Sequence, residues 1–346
     1  MRGLLAVFAA LILCPLGWSQ DPSTTTSSDP EQIFKLASDA YARRDYATAE
    51  SKFREYLSLK PDRPEAHYNL GVTLVVQKKT EDGIPFFRKA ISLRRDYANA
   101  WLSLTDALIT VNKLDDALTA ANDWEKVKPK DGGPALRRSM ILSRQKKWDL
   151  ALLEVQDSLR KTPDSARAKY QLGQVYEGLR QDDNAIQAYR DCLGIDPKYF
   201  RAHRSLGDIF ERKSQLKNAV DAYQSALALE PTDAASFLGL GNAYFNVKQY
   251  DQALTYYNAA VQASPKWATA HTFLADTFER LRKYDSAIES FQNALAIDPN
   301  RVDALSGLGR CYAAKGDKKA AQDVVTRLKV IDPKAAERLR ILISGS

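Results

Sequence analysis

YDQALTYYNAAVQASP (residues 250–265) and YDSAIESFQNALAIDP (residues 284–299) are nearly one text written twice, with starts 34 residues apart. A fixed period of this length marks stacked supersecondary units rather than one packed core. Stepping by 34 from Pro61 reaches Arg95, Pro129, Pro163, Pro197, Pro231, Pro265, Pro299 and Pro333, so eight of the nine positions are proline, with no insertion or deletion. The period therefore divides residues 30–335 into nine copies, 30–63, 64–97, 98–131, 132–165, 166–199, 200–233, 234–267, 268–301 and 302–335.

Each copy holds two helical stripes. In the copy from 268, His271, Leu274, Ala275 and Phe278 fall at i, i+3, i+4 and i+7, and Ala287, Phe291 and Ala294 form a second stripe. The closing proline ends the second helix, because it has no N–H to donate and pushes the preceding residue out of helical geometry. The eighth residue (Ala37, Gly71, Thr105, Ser139, Gly173, Gly207, Gly241, Ala275, Gly309) and the twentieth (Ala49, Gly83, Ala117, Ala151, Ala185, Ala219, Ala253, Ala287, Ala321) are always small. Glycine costs about 1 kcal/mol against alanine inside a helix, so its recurrence implies two backbones in close approach. Leucine fills the seventh place in eight copies, Leu36 among them, and is expected to pack beside that contact.

The pattern of a bulky residue near the start, Leu-Gly, an aromatic at the eleventh place, then Ala, aromatic, Ala and Pro closely resembles the tetratricopeptide repeat family. The resemblance implies an all-α, right-handed superhelical solenoid of helix-turn-helix repeats, whose first helices line a concave groove. It further implies a protein-binding scaffold. The copy 132–165 is degenerate: Arg138 takes the leucine place and Gly-Gly-Pro precedes the helix, so that helix is expected to be rotated or the array to bend there. Residues 336–346 read as a C-terminal capping helix, with Leu339 and Leu342 on its inner stripe.

MRGLLAVFAALILCPLGWSQ at the start has one basic residue, an apolar run from Leu4 to Leu13, and small residues at Gly17 and Ser19. That order predicts a secretory signal over 1–19, cleaved after Ser19, and an exported, periplasmic or secreted protein. Acylation at Cys14 is the alternative, although Leu13 stands where a lipobox has a small residue. Residues 20–29 form a polar linker. The net charge of +7 is spread among interspersed signs, the pattern of a solvated surface and not of a nucleic-acid patch. Cys192 and Cys311 are too far apart in sequence to suggest a ligand cluster.

No phosphate-cradling loop, metal-ligand pair or nucleophile elbow is written in the chain, and no catalytic residue, cofactor, metal or small-molecule substrate is expected. His67, His203 and His271 share the fourth place of their copies, where Trp101 stands in another, which assigns them to packing. Asp115, Asp116, Asp182 and Asp183 sit where second helices begin and read as helix-end charges.

At 100° per residue, the second, fifth, ninth, twelfth and thirteenth places of the first helix point away from the hairpin contact. In the first four copies they include Phe34, Tyr41, Tyr68, Val72, Val75, Leu102, Ile109, Leu136 and Met140, largely apolar. From the fifth to the seventh they include Tyr170, Arg201, Arg204, Leu238, Asn242 and Phe245. An apolar N-terminal groove would hold a partner peptide or helix, with the arginines recognising acidic groups. The bland alternative is that neighbouring first helices hide these side chains. No copy has lysine at its fifth place, which sets aside the carboxylate clamp for chaperone tails. Self-association through the groove and a structural part in a pilus or outer-membrane assembly are further readings.

Overall fold

The computed structural model describes residues 29–344. The leader at 1–19, Cys14 and the linker up to residue 28 lie outside the described residues. Among the described residues there are nineteen helices and no strand. They fall into two compact units, one ending at Gln181 and one beginning at Asp182. The N-terminal unit comprises α1 (Pro30–Ala42), α2 (Tyr46–Leu59), α3 (Pro64–Val76), α4 (Thr80–Leu93), α5 (Ala98–Thr110), α6 (Leu114–Val127), α7 (Gly133–Arg144), α8 (Trp148–Lys161) and α9 (Ala166–Gly178). The C-terminal unit comprises α10 (Asp182–Ile195), α11 (Phe200–Arg212), α12 (Leu216–Leu229), α13 (Ala234–Asn246), α14 (Tyr250–Ala263), α15 (Ala268–Arg280), α16 (Tyr284–Ile297), α17 (Val302–Ala314), α18 (Lys318–Ile331) and α19 (Pro333–Ser344). Within each unit the helices pair as antiparallel hairpins, and each hairpin packs on the next.

The local chemistry of the hairpins is repeated. Asp29, Asp45, Ser165, Asp233 and Asp317 cap helices through side-chain oxygens that accept N–H groups of the first turn. Asp115 and Asp116 lie in the first turn of α6, and Asp182 and Asp183 in that of α10, where carboxylates offset the helix dipole. Between the two helices of each hairpin one residue turns left-handed, from Arg44 (φ 64°) through Arg282 (φ 58°) to Gly316 (φ 80°). The chain reverses there through bonds such as Asp45 N–H to Ala40 O at 2.9 Å.

The small eighth and twentieth places do meet. A Cβ on Gly83 would come within 2.9 Å of the Gly71 carbonyl oxygen, and Ser139 Oγ donates to Ala151 O at 2.8 Å. The second pair shows that the degenerate copy keeps its register, so α7 is not rotated out of the pattern. Arg138 takes the leucine place as an ion-paired side chain, 2.8 Å from Glu125 and 2.8 Å from Glu154. Those partners lie on α6 and α8, so the seventh place sits between the preceding second helix and its own. Leu36 is the exception: it is 44% exposed. No described helix precedes α1 to cover it.

The fourth place ties each copy to the turn before it. Trp101 Nε1 donates to Arg95 O at 2.7 Å. His67, His203 and His271 place Nε2 at 2.7, 3.2 and 3.0 Å from the carbonyls of Pro61, Pro197 and Pro265. A carbonyl only accepts, so Nε2 carries the proton.

The C-terminal helix packs on α17 and α18 through Ala335, Ala336, Leu339 and Ile343. Leu342 is 44% exposed, so Ile343 takes the inner place expected of it. Gly307 sets the tightest glycine contact in this stack, since a Cβ there would lie 2.1 Å from Phe291 Cζ, in a fully buried ring. Gly307→Val is expected to cost about 2–3 kcal/mol by overpacking, read from urea unfolding. An unchanged midpoint would mean that the ring swings aside at no cost.

Candidate functional site

Packing between successive first helices decides where a partner can be met. Tyr68, Val72, Ile109 and Leu136, expected in the groove, are buried. Tyr68 lies 5.2 Å from the Tyr97 ring and 6.1 Å from Phe87, inside a core that also takes in Val72 and Ile109, with Val75 and Leu102 packed against it. Met140 packs beside Leu136 in the next cluster. The expectation of an apolar N-terminal groove is corrected at these four positions: neighbouring helices cover them, and hydrophobic burial is spent inside the array. Phe34 and Tyr41 are half-buried, edge-on to Phe53 and Tyr46, and Arg63 stacks 4.1 Å over the Phe34 ring.

The arginines of the middle copies are also engaged. Arg204 donates to both oxygens of Asp233 at 3.0 and 3.2 Å, so it serves the cap of α13 instead of standing free for an acidic partner. Arg201 leans over the Phe200 ring at 5.3 Å. Tyr170 is half-buried and receives Gln174 Nε2 at 3.4 Å. Deeper in the N-terminal unit, Arg137 is 1% exposed and sits 2.9 Å from Asp106, whose carboxylate also accepts from Arg167 at 3.2 Å. Burial pushes the Arg137 guanidinium below its ordinary range, with Asp106 opposing the shift.

The C-terminal unit keeps an open face. A cavity of about 980 Å³ is bounded by α11, α13, α15 and α17, with Tyr257 of α14, Tyr284 of α16 and Leu342 of α19 completing the wall. Of the expected groove residues, Asn242 and Phe245 line it, while Leu238 packs in the cluster around Tyr257. The Tyr257 hydroxyl donates to Asn242 Oδ1 at 2.8 Å, and its ring stacks on Phe273 at 5.8 Å. Phe245 meets Tyr250 edge-on.

Three carboxylates enter this cavity. Glu279 closes a fork with Arg310 at 2.7 and 2.8 Å. Asp276 reaches the same guanidinium only at 3.5 Å, and burial pushes its carboxyl up to about 6 against that attraction. Glu211 accepts Asn246 Nδ2 at 2.6 Å and is likewise raised, chiefly by burial. The two converge on Tyr257, whose hydroxyl is raised by burial and then by Asp276 and Glu211. Arg310 went unremarked in the sequence although it occupies the ninth place of its copy, the same register as Asn242 and Asp276. Tyr257 and Tyr284 belong to second helices, which a wheel drawn on first helices does not reach. Among the described residues no cluster fit to hold a metal ion is found.

Helical hairpins at a constant period, packed in sequence and presenting a lined cavity on the first-helix side, define a helical-repeat binding protein. Tetratricopeptide repeat family models match residues 34–98, 193–236, 204–268 and 238–301, a second matches 280–343 and a third 166–199. The chain belongs to the tetratricopeptide repeat family. No curated protein matches its sequence. Among solved structures it is similar to Pseudomonas aeruginosa PilF, with a TM-score of 0.54 and 18% identity over 61% of this chain and 96% of that one. The anaphase-promoting complex tetramer Cut9–Hcn1 gives a TM-score of 0.54 and 14% identity, over 92% and 90%. A repeat protein from Cytophaga hutchinsonii gives 0.52 and 20%, over 68% and 98%. Likeness at these identities describes the fold alone.

Proposed function

We propose that the chain is a non-catalytic protein-binding scaffold that holds a partner segment in the cavity of its C-terminal unit. Its leader-like N-terminus supports a place of action outside the cytoplasm. The observation that carries the reading is the lined opening itself. Elsewhere the expected groove residues are covered or engaged, whereas here aromatic and polar side chains of α13, α15 and α17 bound a space large enough for several residues of another chain. Repeat architectures bind in this way because a preformed surface loses little entropy on association.

A photo-crosslinking residue at Ala314, on the cavity rim, is expected to capture a partner protein in cells, and one at the exposed Glu289 of α16 is not. Ala313→Trp, which fills the cavity, should abolish the capture from Ala314. Equal capture at both positions, or capture indifferent to the tryptophan, would remove this reading.

A further inference from the structure

We infer that the C-terminal cavity receives a cationic side chain, lysine or arginine, carried by the partner segment. This rests on the reading of the cavity as the partner site and adds the chemistry that it selects. The argument is one of charge complementarity inside a shaped space.

Glu279 is satisfied by the fork of Arg310, which leaves that guanidinium to meet Asp276 only at its far end. Glu211 accepts from an amide, and the pull of the exposed Arg212 beside it is outweighed by burial and by the like charge of Asp208. Two carboxylates drawn partly out of water and short of positive charge make a receptor for a cation, since a countercharge recovers the solvation that they have lost. The cations that do line the cavity leave this need unmet: Arg310 closes its fork on Glu279, Arg280 draws on Asp276 only from an exposed position and does not offset its burial, and Arg282 stands exposed to solvent. The walls fit the same ligand. Phe245, Phe273 and Tyr284 offer faces or edges to the methylene stem of such a side chain, and an aromatic face attracts a cation within about 6 Å of its centroid. The Tyr257 hydroxyl is held by Asn242, so it does not swing in to occupy the carboxylates.

The probe is a fluorescein-labelled hexa-arginine peptide flanked by glycines, titrated with the full chain at pH 7.5 and read by fluorescence anisotropy. Saturable binding is expected. The double variant Glu211→Gln, Asp276→Asn should weaken it at least tenfold, hexaglutamate should not bind, and Asp164→Asn, an exposed change in the N-terminal unit, should leave the affinity unchanged. Circular dichroism of the double variant separates lost binding from lost fold, and the single variant Asp276→Asn, expected to be more stable than the parent at this pH, gives a second reading at about threefold or more. Absent hexa-arginine binding, affinity within twofold in the double variant, or equal binding of hexaglutamate would each overturn the inference. If crosslinking at Ala314 persists while the double variant still binds hexa-arginine as tightly, the choice of a cation falls and the cavity stands as partner site. If crosslinking fails as well, the site itself falls.

Discussion

Asp106→Ala should cost the N-terminal unit about 3–5 kcal/mol, the largest loss expected from any single change in it. Asp106 is the common acceptor for Arg137 and Arg167, and Arg137 is almost wholly enclosed. Removing the carboxylate leaves a guanidinium in the interior with only the weaker pull of Asp131 against its desolvation, which is far worse than never having had the pair. The double change Asp106→Leu, Arg137→Met replaces both charges with apolar volume and should recover most of the loss, because well-packed hydrophobes serve a core as well as a buried ion pair does. Urea unfolding of the three proteins checks this. A single variant within about 1 kcal/mol of the parent, or a double variant no better than the single, would contradict the account.

Asp276→Asn should act in the opposite direction and only above a certain pH. The Asp276 carboxyl titrates near 6 in the folded chain against an ordinary value of 3.8. A raised carboxyl favours the fold while protonated, so its contribution is complete below about 3.8 and is lost as pH rises through about 6. At pH 7.5 the parent therefore carries a penalty of about 2–3 kcal/mol that asparagine does not. The charged groups facing the carboxyl are Glu279 and Arg280 on its own helix and Asp303 and Arg310 of α17, with the Tyr257 hydroxyl across from α14. Arg310 keeps Glu279 in the variant, so no new orphan charge is made. The expected result is a melting temperature several degrees higher than the parent at pH 7.5 and nearly equal at pH 4. An equal shift at both pH values would assign the effect to packing instead of ionisation.

The architecture was legible because every constraint recurs. Proline near the end of eight of the nine copies, a small residue at two fixed places and leucine beside them mark the hairpins, and even Ser139 against Ala151 obeys the rule in the copy that breaks the pattern elsewhere. The binding face was legible only in part. A helical wheel says which way Tyr68 and Ile109 point but not that the next helix lies over them, since that depends on contacts 34 residues away along the chain. Arg137 was hidden for another reason: a charge in a core position breaks the apolar period that identifies cores, and its partner Asp106 falls on a place assigned to the groove. The cavity draws on two kinds of helix and on α19, so no single stripe spells it out.

The imidazole of His67 marks a point where acid would act on the stack. It gives Nε2–H to the Pro61 carbonyl of the turn behind it, while its Nδ1 is enclosed with no partner. Burial holds this imidazole below its ordinary range, and a second proton placed on Nδ1 would find no acceptor, so the seam favours the neutral ring. A chain carried into an acidic compartment would meet that cost at the joint between its first and second copies.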